Sequence, residues 1–392
     1  MDIKEKALSL HTKLKGKIEV VSRGSLTTQE DLALLYSPGV ASPCLEIHKN
    51  PDLSYQYTRR HNLIAVITDG TAVLGLGDIG PLAAMPVMEG KAILFKRLAD
   101  VDAFPLSIAS KSVDEIVHTI KLLENSFGGI NLEDISAPRC FEIEKRLKET
   151  CGIPIFHDDQ HGTAIVVTAA LINSIKRVNK TMDTLKIVVN GAGAAGTAIT
   201  TFLLEIGVHD VTVCDRFGIL NANDPSLSMS HHALALKTNP RDLKGSLLNA
   251  CKGADVLVGV SAEGAFHPNM IEVMNHQPIV FALANPIPEI LPEEAYAAGA
   301  VIVGTGSSRY PNQINNVLAF PGVFRGTLDS HSKAISKPMM FAAAQAIASC
   351  VQKDELEQGI VIPKALDKQV HQAVAAAVYL KALEENHPKT HP

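Results

Sequence analysis

The chain of 392 residues contains no long hydrophobic run, no closely spaced cysteine pair and no basic cluster. No apolar stretch reaches the roughly 18 residues needed to cross a bilayer, which argues against a membrane protein or a membrane partner. The N-terminal segment interleaves charges with leucine and isoleucine at helical spacing and lacks the apolar core of an export signal. We therefore expect a soluble protein of the cytoplasm.

The six cysteines are scattered, and none belongs to a C-x-x-C motif. This spacing argues against a thiolate zinc site and a disulfide framework, and it is typical of reduced cysteines in a core. The net charge of −5, with no Lys/Arg run longer than two residues, argues against a nucleic-acid-binding surface. We expect a small molecule as the partner.

From residue 61 onward, short apolar runs alternate with helical patterns, which is typical of βα units that build a parallel sheet. The length suggests about two domains of roughly 100–200 residues each. We predict an α/β fold with an N-terminal domain over 1–160, a hinge near 158–162 and a C-terminal Rossmann-type domain over 161–392. The polar stretch 219–245 is interpreted as a surface excursion.

A glycine-rich turn in the second half of the chain is typical of a dinucleotide-binding site. In LKIVVNGAGAAGTAIT, three glycines satisfy G-x-G-x-x-G directly after a predicted strand. The first permits a tight turn, the second lets a pyrophosphate approach the backbone, and the third lets the helix pack on the strand. The alternative is a glycine-rich turn in a sheet that binds no cofactor. The predicted cofactor-binding residues are Gly191, Ala192, Gly193, Ala194, Ala195 and Gly196.

Asp215 ends the next predicted strand, where a carboxylate can accept hydrogen bonds from the adenosine ribose hydroxyls. A carboxylate at this position repels a 2′-phosphate, so we predict NAD as the cofactor. Arg216 follows immediately and keeps NADP open as an alternative, because a guanidinium can pair with that phosphate.

Two pairs of adjacent acids end predicted strands of the first half, Glu133 with Asp134 and Asp158 with Asp159. Parallel strands bring their C-terminal ends to one edge of a sheet, so the four carboxylates converge there. Ligand atoms that are all oxygens, and whose like charges repel one another, suit Mg²⁺ or Mn²⁺. The alternative is that these acids are ordinary helix caps and solvated loop residues.

Neighbouring residues on a strand point in opposite directions, so only one of Asp158 and Asp159 is expected to hold a metal ion while the other orients another group. His157 and His161 flank this pair, and we interpret both as packed or capping residues rather than ligands.

Two further polar residues stand out. Lys91 lies inside an otherwise apolar helix predicted over 86–99, where burial would lower its pKa towards that of a general base. A surface lysine lying along the helix is the alternative. Tyr36 ends a helical pattern just before a Pro-Gly turn, and it is either a proton donor or a packed aromatic residue.

These motifs occur together in an order that resembles the malic enzymes, in particular the short bacterial and archaeal form. The resemblance covers about residues 10–385 and implies an N-terminal malic-enzyme domain followed by an NAD(P)-binding Rossmann domain. The runs that carry it are YSPGVA, TDGTAVLGLGDIGPLAAMPVMEGKAILF, INLEDI, FHDDQHGTA, GAGAAG, LANPIPE and YPNQINNVLAFPG.

The resemblance implies an enzyme that oxidises and decarboxylates L-malate to pyruvate and CO₂ with a nicotinamide cofactor and Mg²⁺ or Mn²⁺. It also implies a homodimer. By similarity, Tyr36 is the general acid, Lys91 is the general base, and Asp158 pairs with Lys91. The implied metal ligands are Glu133, Asp134 and Asp159, and the residues implied to contact substrate and cofactor are Asn285 and Asn316.

One position departs from the larger malic enzymes, in which an arginine grips a malate carboxylate. This chain has Thr71 and Ala72 in the matching segment. The candidates for the group that binds the malate carboxylate are backbone amides near Thr71, the asparagines or a residue of a partner subunit. Three alternatives remain: malolactic chemistry, which releases lactate; another Rossmann dehydrogenase that needs no metal; and a nucleotide-sensing module without turnover.

Overall fold

The computed structural model describes residues 2–73 and 75–386. An N-terminal arm, residues 2–50, precedes the first sheet and contains no buried residue. The arm and the short helix after it comprise α1 (Ile3–Leu14), α2 (Gln29–Leu35), α3 (Ala41–Lys49) and α4 (Ser54–Tyr57). The helical spacing predicted for the N-terminus is confirmed by α1, although its apolar residues face solvent.

The first sheet has four parallel strands in the order β2-β1-β3-β4. The residues of β1 after Leu63 are all buried, as expected for a strand covered on both faces. The elements in chain order are β1 (Leu63–Thr68), α5 (Pro81–Ala99), β2 (Asp102–Ser107), α6 (Val113–Leu123), β3 (Gly129–Leu132), α7 (Arg139–Thr150) and β4 (Ile155–His157).

The register of this sheet places the acid pairs side by side. Leu132, the last residue of β3, pairs with His157, the last residue of β4. The residues that follow the two strands therefore leave the sheet side by side. A single turn of π-helix, residues 158–162, then leads into α8 (Thr163–Arg177). The site residues of the first sheet therefore share one edge.

The second sheet has the order β10-β9-β8-β5-β6-β7, and every strand is parallel to its neighbours except the short β7. The sheet order reverses between β5 and β8, where open α/β sheets bind ligands. The elements are β5 (Lys186–Asn190), α9 (Ala194–Glu205), β6 (Asp210–Asp215), β7 (Gly218–Ile219), α10 (Met229–Ala235), α11 (Leu247–Cys251), β8 (Val256–Gly259), α12 (Pro268–Glu272), β9 (Ile279–Ala282), α13 (Pro292–Ala297) and β10 (Ile302–Thr305).

The described part of the chain ends in four helices. They are α14 (Phe320–Asp329), α15 (Lys337–Ser349), α16 (Lys353–Glu357) and α17 (Lys368–Asn386). Both α14 and α17 pack against α5, and the Phe95 ring lies 4.6 Å from that of Phe320 and 5.3 Å from that of Phe324. The largest apolar core accordingly runs through both sheets. Among the described residues, no helix is long and apolar enough to cross a membrane.

Two element predictions need correction. The helix predicted to begin at residue 86 begins at Pro81, because a proline at the first helical position costs no hydrogen bond. The stretch 219–245 is not only a surface excursion, since Leu220, Leu234 and Ala235 are buried in the main core. The predicted α/β fold with a Rossmann-type second sheet is confirmed.

Candidate active site

Three carboxylates converge at the C-terminal edge of the first sheet. Glu133 and Asp134 follow β3, and Asp159 follows β4. One carboxylate oxygen from each lies within 4.8 Å of the others. The backbone N–H of Asp134 donates to Asp159 Oδ2 at 2.8 Å, which ties the two strand ends together. We call these three residues the carboxylate cluster.

Lys91 reaches this cluster from the buried face of α5. Its Nζ lies 2.6 Å from Asp158 Oδ2 and 2.9 Å from Glu133 Oε1, and it sits 4.3 Å from the centre of the Phe320 ring. The side chain is 8% exposed, so the surface alternative for Lys91 is wrong. The contact with Asp158 implied by the resemblance is present.

The pKa direction predicted for Lys91 is wrong in this structure. Burial lowers the pKa of the ammonium, but the carboxylates of Asp158 and Glu133 outweigh burial and raise it above the usual lysine value. Burial in turn raises the pKa of Glu133, Asp158 and Asp159, and Lys91 only partly offsets this. Burial therefore favours the neutral form of these three carboxyl groups.

The side chains of the turn 158–162 point in two directions. Asp158 faces Lys91 and Asp159 faces Asp134, although both residues lie in the π-helical turn and not on a strand, where side chains would alternate. Gly162 is required beside them, because a Cβ there would lie 1.9 Å from Asp158 Oδ1. Gln160 and His161 point the other way, towards Glu144 of α7.

Neither flanking histidine belongs to the carboxylate cluster. His161 Nε2 lies 2.7 Å from Glu144 Oε1. His157 is fully buried, and burial lowers its pKa to about 4, so its ring is neutral near neutral pH. Its Nδ1 lies 3.8 Å from Asp159 Oδ2, beyond hydrogen-bond distance.

The carboxylate cluster fits a hard divalent cation. Its ligand atoms are all oxygens, which suits Mg²⁺ or Mn²⁺. Burial and mutual repulsion raise the pKa of Glu133, and a cation would relieve both effects. Glu133, Asp134 and Asp159 would hold such an ion.

The glycine-rich turn has the geometry that its three glycines predict. Gly191 has a φ of 117°, and a Cβ there would meet Val260 O at 2.4 Å. A Cβ on Gly196 would meet Gly191 O at 1.7 Å, so α9 can pack on β5 only with glycine there. Around Gly193 no described atom lies within 4 Å of the Cβ position, which leaves room for a phosphate to approach the backbone.

Asp215 lies at the end of β6, where the ribose carboxylate was predicted. Its Oδ1 accepts a hydrogen bond from the Phe217 backbone N–H at 2.8 Å, and its Oδ2 lies 3.5 Å from His231 Nδ1. The Arg216 guanidinium stacks 4.7 Å from the Phe217 ring centre. Sequence reasoning missed His231, because α10 lies in the segment that looked like a surface excursion.

A buried carboxylate at the end of the LANPIPE run, to which the sequence assigned no role, joins the loops after β8 and β9. Glu289 is fully buried, and burial raises its pKa. Its Oε1 accepts from the Ser261 N–H at 2.8 Å and its Oε2 from the Ala284 N–H at 2.9 Å. Asn190 Nδ2 donates to the Ser261 hydroxyl at 2.9 Å, so these loops are coupled to the end of β5.

The predicted asparagines lie at the junction of the two halves. Asn316 packs beside the turn 158–162, because a Cβ on Gly162 would meet Asn316 Cβ at 3.1 Å. Asn285 has its backbone oxygen against Gly75, at 2.8 Å from the Cβ position, so a loop of the first half meets the second half there.

Tyr36 is not brought into this group. It caps the C-terminal end of α2 and is 70% exposed. No hydrogen bond or ion pair between described residues links Tyr36 to Lys91 or to the carboxylate cluster.

Backbone amides near Thr71 are already engaged. The Thr71 N–H donates to Asp69 Oδ1 at 3.1 Å and the Ala72 N–H to Asp134 O at 3.0 Å. The suggestion that these amides hold a substrate carboxylate is therefore not supported.

Sequence reasoning also missed Arg139, whose Nη1 lies 2.8 Å from Asp69 Oδ2 and whose Nη2 donates to Thr71 Oγ1 at 2.9 Å.

Two family profiles match nearly the whole chain. The profile described as "Malic enzyme, N-terminal domain" matches residues 15–112 and 109–148, and "Malic enzyme, NAD binding domain" matches residues 160–383. The chain belongs to the malic enzyme family. The resemblance stated from the motifs is thereby confirmed.

Relatives of this malic enzyme family member are similar over almost its full length. A bifunctional malic/malolactic enzyme of Bacillus subtilis is 52% identical, with 98% of this chain and 94% of the relative covered. An NAD-dependent malic enzyme of Geobacillus stearothermophilus is 50% identical, with 97% and 80% covered.

Solved malic enzyme structures have the same fold. The NAD-dependent malic enzyme of Thermotoga maritima aligns with a TM-score of 0.92 at 50% identity, covering 95% of this chain and 98% of the other. The malic enzyme of Pyrococcus horikoshii aligns with a TM-score of 0.94 at 46% identity, covering 100% and 93%.

Proposed function

We propose that this protein oxidises and decarboxylates L-malate to pyruvate and CO₂, with NAD and with Mg²⁺ or Mn²⁺ at the carboxylate cluster. One observation carries the proposal. The turn 158–162 holds Asp158 against Lys91 and Asp159 in the cluster, and it also packs against α9, the helix that begins at the glycine-rich turn. This arrangement supports a base, a cation site and a nucleotide site within reach of one small substrate.

Lys91 acts as the general base that takes the proton of the malate C2 hydroxyl, and Asp158 and Glu133 hold its Nζ in place. The adjacent carboxylates raise the pKa of Lys91, and a cation bound at the carboxylate cluster would oppose that effect. When bound, the nucleotide would supply a hydride acceptor and the cation would supply Lewis-acid chemistry.

In the homodimer proposed below, Tyr36 protonates C3 after the carboxylate has left as CO₂, and Asn285 and Asn316 hold the substrate and the nicotinamide. Residues 1–160 carry the metal and, together with the two asparagines, the substrate, and residues 161–392 carry the nucleotide. Asp215 accepts hydrogen bonds from the adenosine ribose, which favours NAD over NADP. Named relatives include both NAD-dependent and NADP-dependent malic enzymes, so nucleotide preference varies within the family.

We also propose that the protein is a homodimer in which a second copy covers the N-terminal arm. The arm exposes many large apolar side chains and is tied to α5 by Lys17, whose backbone N–H donates to Glu89 and whose Nζ donates to Pro86 O. A segment that exposes this many large apolar side chains is typical of an interaction surface. The exposed ones are Ile3, Leu8, Leu10, Leu14, Val20, Val21, Leu26, Leu32, Leu34, Leu35, Tyr36, Val40 and Leu45.

The test is an assay of the purified protein with L-malate, Mn²⁺ and either NAD or NADP. Absorbance reports the reduced nucleotide, and the organic acid formed is identified at the end. We expect reduced NAD and pyruvate in equal amounts, with no reaction after EDTA. Lactate without net reduction would establish malolactic chemistry, an activity that the name of the Bacillus subtilis relative includes. No turnover of malate would overturn the proposal.

A further inference from the structure

A buried carboxylate on α7 has no part in the proposed chemistry, yet it holds the turn that carries the site. Glu144 is 6% exposed and lies on the buried face of α7 with Cys140, Ile143 and Leu147. A charged side chain in such a position requires partners that compensate its loss of water.

The partners of Glu144 come from two segments. Its Oε1 lies 2.7 Å from His161 Nε2 and 2.7 Å from Lys148 Nζ, and its Oε2 accepts from Gln160 Nε2 at 3.4 Å. Burial alone would raise the pKa of this carboxyl, but His161 and Lys148 hold it well below its usual range. Glu144 is therefore an ionised hydrogen-bond acceptor.

The turn 158–162 is fixed on two sides. On the side of the site, Asp158 is held by Lys91, and Asp159 is held by the Asp134 N–H. On the opposite side, its next two residues are held by Glu144. The turn is a single π-helical turn between a strand and a helix, and a geometry of this kind persists only where its surroundings determine it.

We propose that Glu144 is a positioning residue that fixes the turn 158–162 and thereby sets the affinity of the carboxylate cluster for a divalent cation. The proposal rests on the metal-dependent function proposed above. Groups that orient metal ligands from behind typically change metal affinity about 10-fold to 100-fold when they are removed. Glu144 contacts Gln160 and His161, which follow the predicted metal ligand Asp159. It therefore acts on Asp159 through the backbone of the turn.

The experiment compares Glu144→Ala and Glu144→Gln with the wild-type protein, using Mn²⁺ as the probe. Glu149→Ala is the matched control, because Glu149 lies on the same helix with its side chain 60% exposed. Free Mn²⁺ is measured by electron paramagnetic resonance during titration of metal-free protein, and NADH binding is measured by fluorescence. Neither readout requires turnover.

We expect Glu144→Ala to weaken Mn²⁺ binding about 10-fold or more while NADH affinity changes much less. Glu144→Gln should recover part of the loss, because its amide oxygen still accepts from one of the partners, and Glu149→Ala should bind Mn²⁺ like the wild type. Unchanged Mn²⁺ affinity in Glu144→Ala would overturn the proposal, as would an equal loss of Mn²⁺ and NADH affinity, which is the pattern of general destabilisation.

A second variant approaches the same contact from the turn. If Glu144→Ala does not fold, His161→Ala removes the partner ring, which is 19% exposed, and leaves Glu144 paired with Lys148. It should also weaken Mn²⁺ binding, and wild-type affinity would refute the idea. A wild-type protein that binds Mn²⁺ but does not turn over malate would refute the proposed function alone. A wild-type protein that binds no Mn²⁺ would refute both.

Discussion

At the scale of single residues, Lys91 provides the sharpest test. Lys91→Ala should lower kcat by about 100-fold or more, because general bases contribute factors of this size. Affinity for NADH should be nearly unchanged, since Lys91 contacts groups of the first sheet and Phe320 rather than the glycine-rich turn. Steady-state kinetics and nucleotide titration measure both effects. Lys96→Ala on the same helix, with its side chain 52% exposed, is the control, and a fully active Lys91→Ala enzyme would exclude the base role.

Asp158 and Asp159 are adjacent and should behave differently. Asp159→Asn should weaken Mn²⁺ binding strongly, because it removes one charged ligand of three. Asp158→Asn should retain most Mn²⁺ affinity and lose kcat, because its carboxylate pairs with Lys91. Calorimetric titration with Mn²⁺ and initial rates separate the two. Equal Mn²⁺ affinity in Asp159→Asn and wild type would remove Asp159 from the ligand set.

Asp215 decides the nucleotide in our proposal. Asp215→Ser should raise KM for NAD and shift the ratio of kcat/KM towards NADP, because the repulsion of a 2′-phosphate is removed while Arg216 remains. The two nucleotides are compared under saturating malate and Mn²⁺. An unchanged ratio would place the ribose contact elsewhere.

Four of these site residues could be predicted from the sequence because each follows a predicted strand or lies in a motif: Lys91, Asp158, Asp159 and Asp215. Glu133 and Asp158 share an edge for reasons visible in the alternation of strands and helices. Glu144, Glu289 and His231 were not identified because the contacts that give them a role, with His161, Ser261 and Asp215 respectively, come from distant segments. The pKa of Lys91 was misjudged for the same reason: burial is readable from an apolar helix, whereas the carboxylates that outweigh it come from β3 and β4.

At the scale of elements, Glu289 couples two loops beside the glycine-rich turn. Glu289→Gln should weaken NADH binding, because an amide presents N–H donors where the carboxylate accepts from two backbone N–H groups, those of Ser261 and Ala284. Mn²⁺ affinity should be unchanged, since these loops belong to the second sheet. Fluorescence titration of NADH checks the first expectation, with Glu293→Gln on α13 as the control. Intact NADH affinity would show that the loops hold their positions without this carboxylate.

Element types were predictable where periodicity was strong, and boundaries were not. The strands of both sheets follow from short apolar runs, and α9 follows from the glycine-rich turn. The start of α5 depends on which of two prolines, Pro81 or Pro86, occupies the first helical position, and the spacing of apolar residues does not decide between them. Leu234 is buried by tertiary packing, which the polar composition of its segment does not indicate.

At the scale of the whole molecule, the two sheets are joined more closely than a two-domain sequence suggests. The C-terminal helices α14 and α17 return to α5, so a late segment of the chain packs on an early one. Such contacts between distant segments leave no local pattern in the sequence. They fix the first sheet relative to the second and hold the Phe320 ring over Lys91.

The N-terminal arm gives the prediction that involves the whole assembly. Leu34 and Tyr36 are 67% and 70% exposed, and a proton donor in open water would be poorly placed for controlled proton transfer. If a second copy covers the arm, Leu34→Glu places a charge in an apolar interface, which is costly unless the charge is paired. We expect light scattering to give twice the chain mass for the wild type and a mass closer to one chain for Leu34→Glu, with lower malate turnover. Glu30→Gln on the same helix should stay dimeric and active. A dimeric, fully active Leu34→Glu protein would mean that the arm is not the interface, and the position of Tyr36 would then need another explanation.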